Sequence, residues 1–155
     1  MSREGRRRGI VLALGNDLLG DDGAGIAAAR LLAGRLPDGV ELVEAGFGGF
    51  HLLDLLEGCE RALILDAVAT GKHPPGTILE FTRSDFAPLA SSPHYVGLPE
   101  ILAVAETLQL VFPSDLRILG IEVERLDTFG APFSPAVAAA LPAFADRAAA
   151  VVGGW

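Results

Sequence analysis

The sequence predicts an α/β fold: a three-layer α/β/α sandwich on a mostly parallel sheet of about five strands, with one antiparallel edge strand. Three observations carry this. Apolar runs alternate with helical patterns along the chain, the mark of strand-helix-strand units. The first run, residues 9–14 (Gly-Ile-Val-Leu-Ala-Leu), is apolar without alternation, as strands covered on both faces are. The chain has 155 residues, half of them hydrophobic and 21% charged, which suits one compact domain over residues 1–155 and is too apolar for a disordered chain.

Residues 1–8, with Arg6, Arg7 and Arg8, read as a frayed, solvated start. Residues 9–14 form the first strand, expected at the centre of the sheet. Residues 24–36 carry Ile26, Leu31, many alanines and Arg35, and stop before Pro37-Asp38-Gly39, the pattern of a helix with an exit signal. Residues 40–44 make a second strand, and leucines 52, 53, 55 and 56 before Gly58 make a short helix over residues 51–56. Residues 61–67 give a third strand, apolar until Asp66. Residues 77–82 follow the Pro74-Pro75-Gly76 turn and alternate, which fits an edge strand that can run antiparallel. Ser, Asp and Pro over residues 83–93 mark a loop long enough for function. A helix is expected over residues 97–110, with Pro99 in its first turn, then a last strand over residues 116–123. Ser134-Pro135 opens a terminal Ala-rich helix by the cap-plus-proline rule.

Composition excludes several functions. With 12 Lys+Arg against 20 Asp+Glu the net charge is −8, which opposes the phosphate neutralisation that nucleic acids require. The apolar run after the arginines is too short for a signal or membrane segment. Cys59 is the single cysteine, so neither an intrachain disulfide nor a thiolate zinc cluster can form. It reads as a small buried apolar residue, and a reducing cytoplasm fits. Gly-x-Ser-x-Gly and His-Glu-x-x-His do not occur, which leaves serine and zincin proteolysis without support.

The richest stretch joins the first strand to the first helix: Leu14-Gly15-Asn16-Asp17-Leu18-Leu19-Gly20-Asp21-Asp22-Gly23-Ala24-Gly25. Its glycines invite comparison with phosphate loops, but Asp21 and Asp22 would repel a phosphate and no Gly-Lys-Ser/Thr element follows. Asp21 is expected to cap the first helix or to satisfy loop amides. Asp22 projects into the cleft as a metal ligand, or helps to cap. Asp66 ends a strictly apolar run where strand propensity calls for no charge; it is a site residue or a strand end bonding the next loop. His94, in Ser92-Pro93-His94, is a ligand or a surface residue. Two carboxylates and an imidazole from three loops can meet at the C-terminal edge of a parallel sheet, where such folds bind ligands. His51 reads as a helix start and His73 as an exposed loop residue, and neither joins the site.

Three blocks, Gly15-Asn16-x-Leu18-Leu19-x-Asp21-Asp22-Gly23-x-Gly25, the strand end Asp66-Ala67, and Ser92-Pro93-His94-x-x-Gly97-Leu98, resemble the hydrogenase maturation endopeptidases in order and approximate spacing along nearly the whole chain. The resemblance implies a peptidase that removes the C-terminal extension of a [NiFe]-hydrogenase large-subunit precursor after nickel insertion. It implies that Asp22, Asp66 and His94 are the catalytic, metal-contacting set. Family members often carry glutamate where Asp22 stands. Glu44-Ala45-Gly46-Phe47-Gly48-Gly49 fills the place of the family's acidic, glycine-rich segment, which implies substrate binding by Glu44, Gly46 and Gly48; a solvated strand end is the other reading of Glu44. The implied metal is nickel, presented by the substrate, or another divalent ion in its place, polarising the scissile carbonyl or lowering the pKa of a bound water. The implied partner is the large-subunit precursor, met by a monomer in the cytoplasm, with no membrane or nucleic acid involved. A site holding its own zinc-like ion, and a non-catalytic metal-sensing or chaperone module of the same fold, stay open.

Overall fold

A computed structural model describes residues 7–15, 20–45, 51–82, 85, 98–124 and 132–155. In chain order these form β1 (Arg7–Leu14), a 3-10 turn (Gly20–Gly23), α1 (Ala24–Leu32), β2 (Val40–Ala45), α2 (His51–Leu56), β3 (Cys59–Val68), β4 (Ile78–Phe81), α3 (Leu98–Thr107), β5 (Asp115–Glu122) and α4 (Pro135–Gly153). The five strands make one sheet in the order β2-β1-β3-β5-β4. β2, β1, β3 and β5 are parallel, and β4 pairs antiparallel with β5 at the edge. Helices cover both faces, so the predicted three layers and the antiparallel edge strand are observed.

Alternation along the inner strands divides the core in two. Val11, Ala13, Leu63, Leu65, Leu119 and Ile121 face α1 and α4, where Ala28, Leu32, Phe144, Ala145 and Ala148 meet them. Ile10, Leu12, Leu14, Ala62, Ile64 and Ile118 face the other way, toward Leu52 and Leu56 of α2 and Leu102 of α3. Burying each such leucine or isoleucine contributes about 1.5–3 kcal/mol. The Cys59 side chain lies in the second cluster, fully buried, as a small apolar residue would.

Four sequence expectations change. The central strand is β3, not β1, because two strands lie on each side of β3, while β1 has only β2 on its outer side. Strand β1 starts at Arg7, whose backbone pairs beside Cys59, so Arg7 and Arg8 belong to the sheet rather than to a frayed start. Helix α1 stops at Leu32 rather than residue 36. Gly34 takes φ +81°, a left-handed conformation that ends a helix, while Ala33 N–H still donates to Ala29 O at 3.1 Å. Helix α3 ends at Thr107 rather than residue 110, just before Gln109 at φ 53°.

Helix α1 lies unusually close to the strand ends. A Cβ added at Gly25 would stand 2.5 Å from Leu65 O and 2.9 Å from Leu14 O, so only glycine lets the first turn of α1 rest on the last residues of β1 and on β3. That contact brings the turn before α1 over the C-terminal edge of the sheet.

Candidate active site

The strand order creates a topological switch point between β1 and β3. The chain leaving β1 enters α1 on one face, whereas α3, the next described helix after β3, packs on the opposite face. A crevice opens between such divergent connections, outside the carboxyl ends of the strands. Asp22, in the 3-10 turn after β1, and Asp66, near the end of β3, both belong to this edge.

The turn that carries Asp22 is held by backbone geometry. Gly15 adopts φ +131°, and a Cβ there would collide with the carbonyl oxygen of Asp22, so the chain folds back on itself before α1 begins. Asp22 is 5% exposed. It precedes the N-terminus of α1, where the helix dipole favours negative charge.

Asp66 is fully buried, and its Oδ1 accepts the N–H of Ala67 at 2.8 Å. It is in phase with Ala62 and Ile64, which places it on the face of α2 and α3. Because Ala13 is level with Leu65 in the β1–β3 register, Asp66 is level with Leu14, the last residue of β1 before the loop to Asp22. Two of the three expected site carboxylate and imidazole groups therefore reach one edge through adjacent strands. His94 lies outside the described residues, as do Gly46 and Gly48. Helix α3, which follows His94 in the chain, places Leu102 against the same face as Asp66.

Glu44 stands near the end of β2, and its Oε1 accepts Arg30 Nε of α1 at 2.9 Å. Both side chains are exposed, and such a pair contributes at most about 1 kcal/mol. His51 begins α2 and His73 is exposed, as expected.

Asp21 does not cap α1. The N-cap position is Gly23, without a side-chain cap. Asp21 takes the other expected role, satisfying a loop amide, and does so across the molecule: its Oδ1 accepts Ser134 N–H at 2.8 Å and its Oδ2 accepts the Ser134 hydroxyl at 2.9 Å. Ser134 does precede α4 with Pro135 at the first helical position, yet its hydroxyl serves Asp21 rather than its own helix.

Glu122, at the end of β5, was not singled out by the sequence reading. It is 1% exposed, with Oε2 accepting Thr70 N–H at 2.8 Å and Oε1 accepting the Thr70 hydroxyl. Its signal is the one that marks Asp66, a charge closing an apolar strand. Glu122 shares the face of Ile118 and thus of Asp66, and it ties down the loop that leaves β3. Among the described residues the buried charged side chains are Asp21, Asp22, Asp66 and Glu122, all carboxylates and all at this edge. Among the described residues no three His, Cys, Asp or Glu side chains stand together closely enough to hold a metal ion.

A cavity of about 510 Å³ opens at the opposite edge, near the starts of β3 and β5, lined by Arg61, Glu80, Asp115, Arg117, Arg147 and Trp155. It is an ion-paired seam. Arg117 bonds Asp115 at 2.9 Å and Glu80 at 3.3 Å, and Arg147 bonds Glu80 at 3.3 Å. The Asp115 carboxylate raises the Arg117 pKa above its ordinary value. Its carboxylates and guanidinium groups are engaged with one another.

A family model for the HycI type of hydrogenase maturation protease matches residues 26–151. The chain belongs to the hydrogenase maturation protease family. Among curated hydrogenase maturation proteins, it is 32% identical to the hydrogenase expression/formation protein HoxM of Azotobacter vinelandii, covering 89% of this chain and 72% of that protein. It is 32% identical to the hydrogenase 2 maturation protease of Escherichia coli, over 76% of this chain and 74% of that one. The fold is similar to that of the hydrogenase maturating endopeptidase HybD from E. coli, with TM-score 0.82, 29% identity, and coverage of 95% and 93% of the two chains. The [NiFe] hydrogenase maturation protease HybD from Thermococcus kodakarensis is similar too, with TM-score 0.71, 29% identity, and coverage of 94% and 99%. A hydrogenase maturation protease is a peptidase.

Proposed function

We propose that this protease removes the C-terminal extension of a [NiFe]-hydrogenase large-subunit precursor after nickel insertion, with Asp22, Asp66 and His94 contacting the nickel that the precursor presents. The observation that supports this reading most is that Asp22 and Asp66 are both buried at the carboxyl edge of the sheet, one in the turn after β1 and one near the end of β3, in a chain of the hydrogenase maturation protease family. Carboxylate oxygens and a neutral imidazole nitrogen suit a borderline divalent ion, and three donors leave coordination positions for ligands from the substrate. The ion then polarises the scissile carbonyl or activates a water, and cleavage waits for metal loading because the complete site exists only in the enzyme–substrate complex. Glu44 stands near the end of β2, and it binds the substrate together with Gly46 and Gly48. The enzyme works as a monomer in the cytoplasm, where the lone buried Cys59 meets no oxidising demand.

The test is incubation of the purified protein with nickel-loaded and nickel-free precursor, followed by the mass of the large subunit. Tail removal is expected from the loaded form alone. Equal cleavage of both forms would point to a site with its own ion, and binding of the loaded precursor without cleavage would point to a metal-sensing or chaperone module.

A further inference from the structure

We propose that Asp21 is a positioning residue for Asp22: its carboxylate ties the 3-10 turn to the start of α4 and so holds Asp22 over the ends of β1 and β3. The proposal rests on the reading that Asp22 contacts the substrate's nickel. Asp21 is 8% exposed, and each of its oxygens accepts one group of Ser134, the N–H at 2.8 Å and the hydroxyl at 2.9 Å. A carboxylate engaged in this way by a residue 113 positions distant is a strut between two segments.

The strut completes a frame. The four-residue turn Gly20–Gly23 is pinned on one side where Asp22 O closes on Gly15, and it runs directly into α1, which rests through Gly25 on Leu14 O and Leu65 O. Those two pins are backbone contacts. The third is the Asp21 side chain on Ser134. The far end is anchored, because Pro135 follows with its φ already fixed and α4 buries Val137, Phe144, Ala145, Ala148 and Val152 in the core it shares with α1. Without the strut the turn keeps its ends but loses its lateral restraint, and Asp22, the next residue, moves with it. A displacement of about 1 Å at a reacting centre can cost about 100-fold in rate.

The experiment measures kcat and KM for tail removal from nickel-loaded precursor by the parental protein and by Asp21→Ala, Asp21→Asn, Ser134→Ala, Asp22→Ala and Ile10→Val. Partners that orient a metal-contacting group are typically worth about 10–100-fold, so Asp21→Ala should lower kcat/KM by that factor. Asp21→Asn keeps an acceptor for Ser134 N–H and should recover to within a few-fold of the parental rate. Ser134→Ala keeps its N–H and loses the hydroxyl, so it should fall in between; should Asp21→Ala not fold, this variant decides. Ile10→Val, a core change in the other cluster, away from the strut and its anchor, should cleave at the parental rate below its melting transition. The proposal is overturned if Asp21→Ala and Ser134→Ala cleave at the parental rate while Asp22→Ala is inactive. It is equally overturned if Asp21→Asn is as inactive as Asp21→Ala, since the charge itself would then be at work. If Asp22→Ala cleaves normally, the nickel-contact reading fails and this proposal fails with it.

Discussion

Asp66 shows what burial does to a carboxylate proposed for the active site. Its place near a strand end suggests that replacement should cost little, but it is fully buried and accepts Ala67 N–H. Removing the acceptor leaves a buried donor unsatisfied, a penalty of about 1–3 kcal/mol. Asp66→Ala should therefore lose about that much in denaturant unfolding as well as all processing. Asp66→Asn keeps an oxygen for Ala67 and should unfold close to the parental midpoint while still failing to process the precursor, because an amide is a poor ligand for the ion. Parental processing by Asp66→Asn would remove Asp66 from the metal-contacting set.

At the scale of elements, the seat of α1 on the strands sets where the first acidic turn can be. Gly25→Ala places a methyl 2.5 Å from Leu65 O and 2.9 Å from Leu14 O, and α1 must lift to accept it. The expected outcome is a loss of about 1–3 kcal/mol in unfolding, the usual cost of overpacking, together with reduced processing because the Asp22 turn moves with the helix. Unchanged stability and activity would show that α1 tolerates the shift and that its seating does not define the site. The elements were largely legible in the sequence, since residues 9–14 and 61–67 are uninterrupted apolar runs and Ser134-Pro135 punctuates the last helix. Helix ends were less so: the left-handed turns at Gly34 and Gln109 depend on how the chain departs toward its next element. Of the site, Asp66 stood out as a charge closing an apolar strand, and Asp22 as a charge after a glycine turn. The partners of Asp21 and Glu122 did not, because Ser134 and Thr70 meet them only through tertiary packing, 113 and 52 residues away. For the same reason β3 rather than β1 is central, as strand order follows from crossovers and not from the strands' own residues.

Across the whole molecule, the buried carboxylates and an ion-paired arginine cluster lie at opposite edges of the sheet. The buried carboxylates among the described residues gather where the parallel strands end, while Arg61, Arg117 and Arg147 line the ion-paired cavity near the starts of β3 and β5. Asp21 and Glu122 bind Ser134 and Thr70, and Asp22 and Asp66 flank the switch point between them. An edge of this character favours a cation, and a cation delivered by the substrate makes the complex depend on loading. The most direct test is the dissociation constant of the complex with nickel-loaded and with nickel-free precursor, each carrying an uncleavable tail, for the parental protein, Asp22→Ala and His94→Gln. The account predicts that loading tightens parental binding by at least about tenfold, some 1.4 kcal/mol, and that either substitution erases the difference. Equal affinity for both precursors, or a loading effect that survives in both variants, would contradict it.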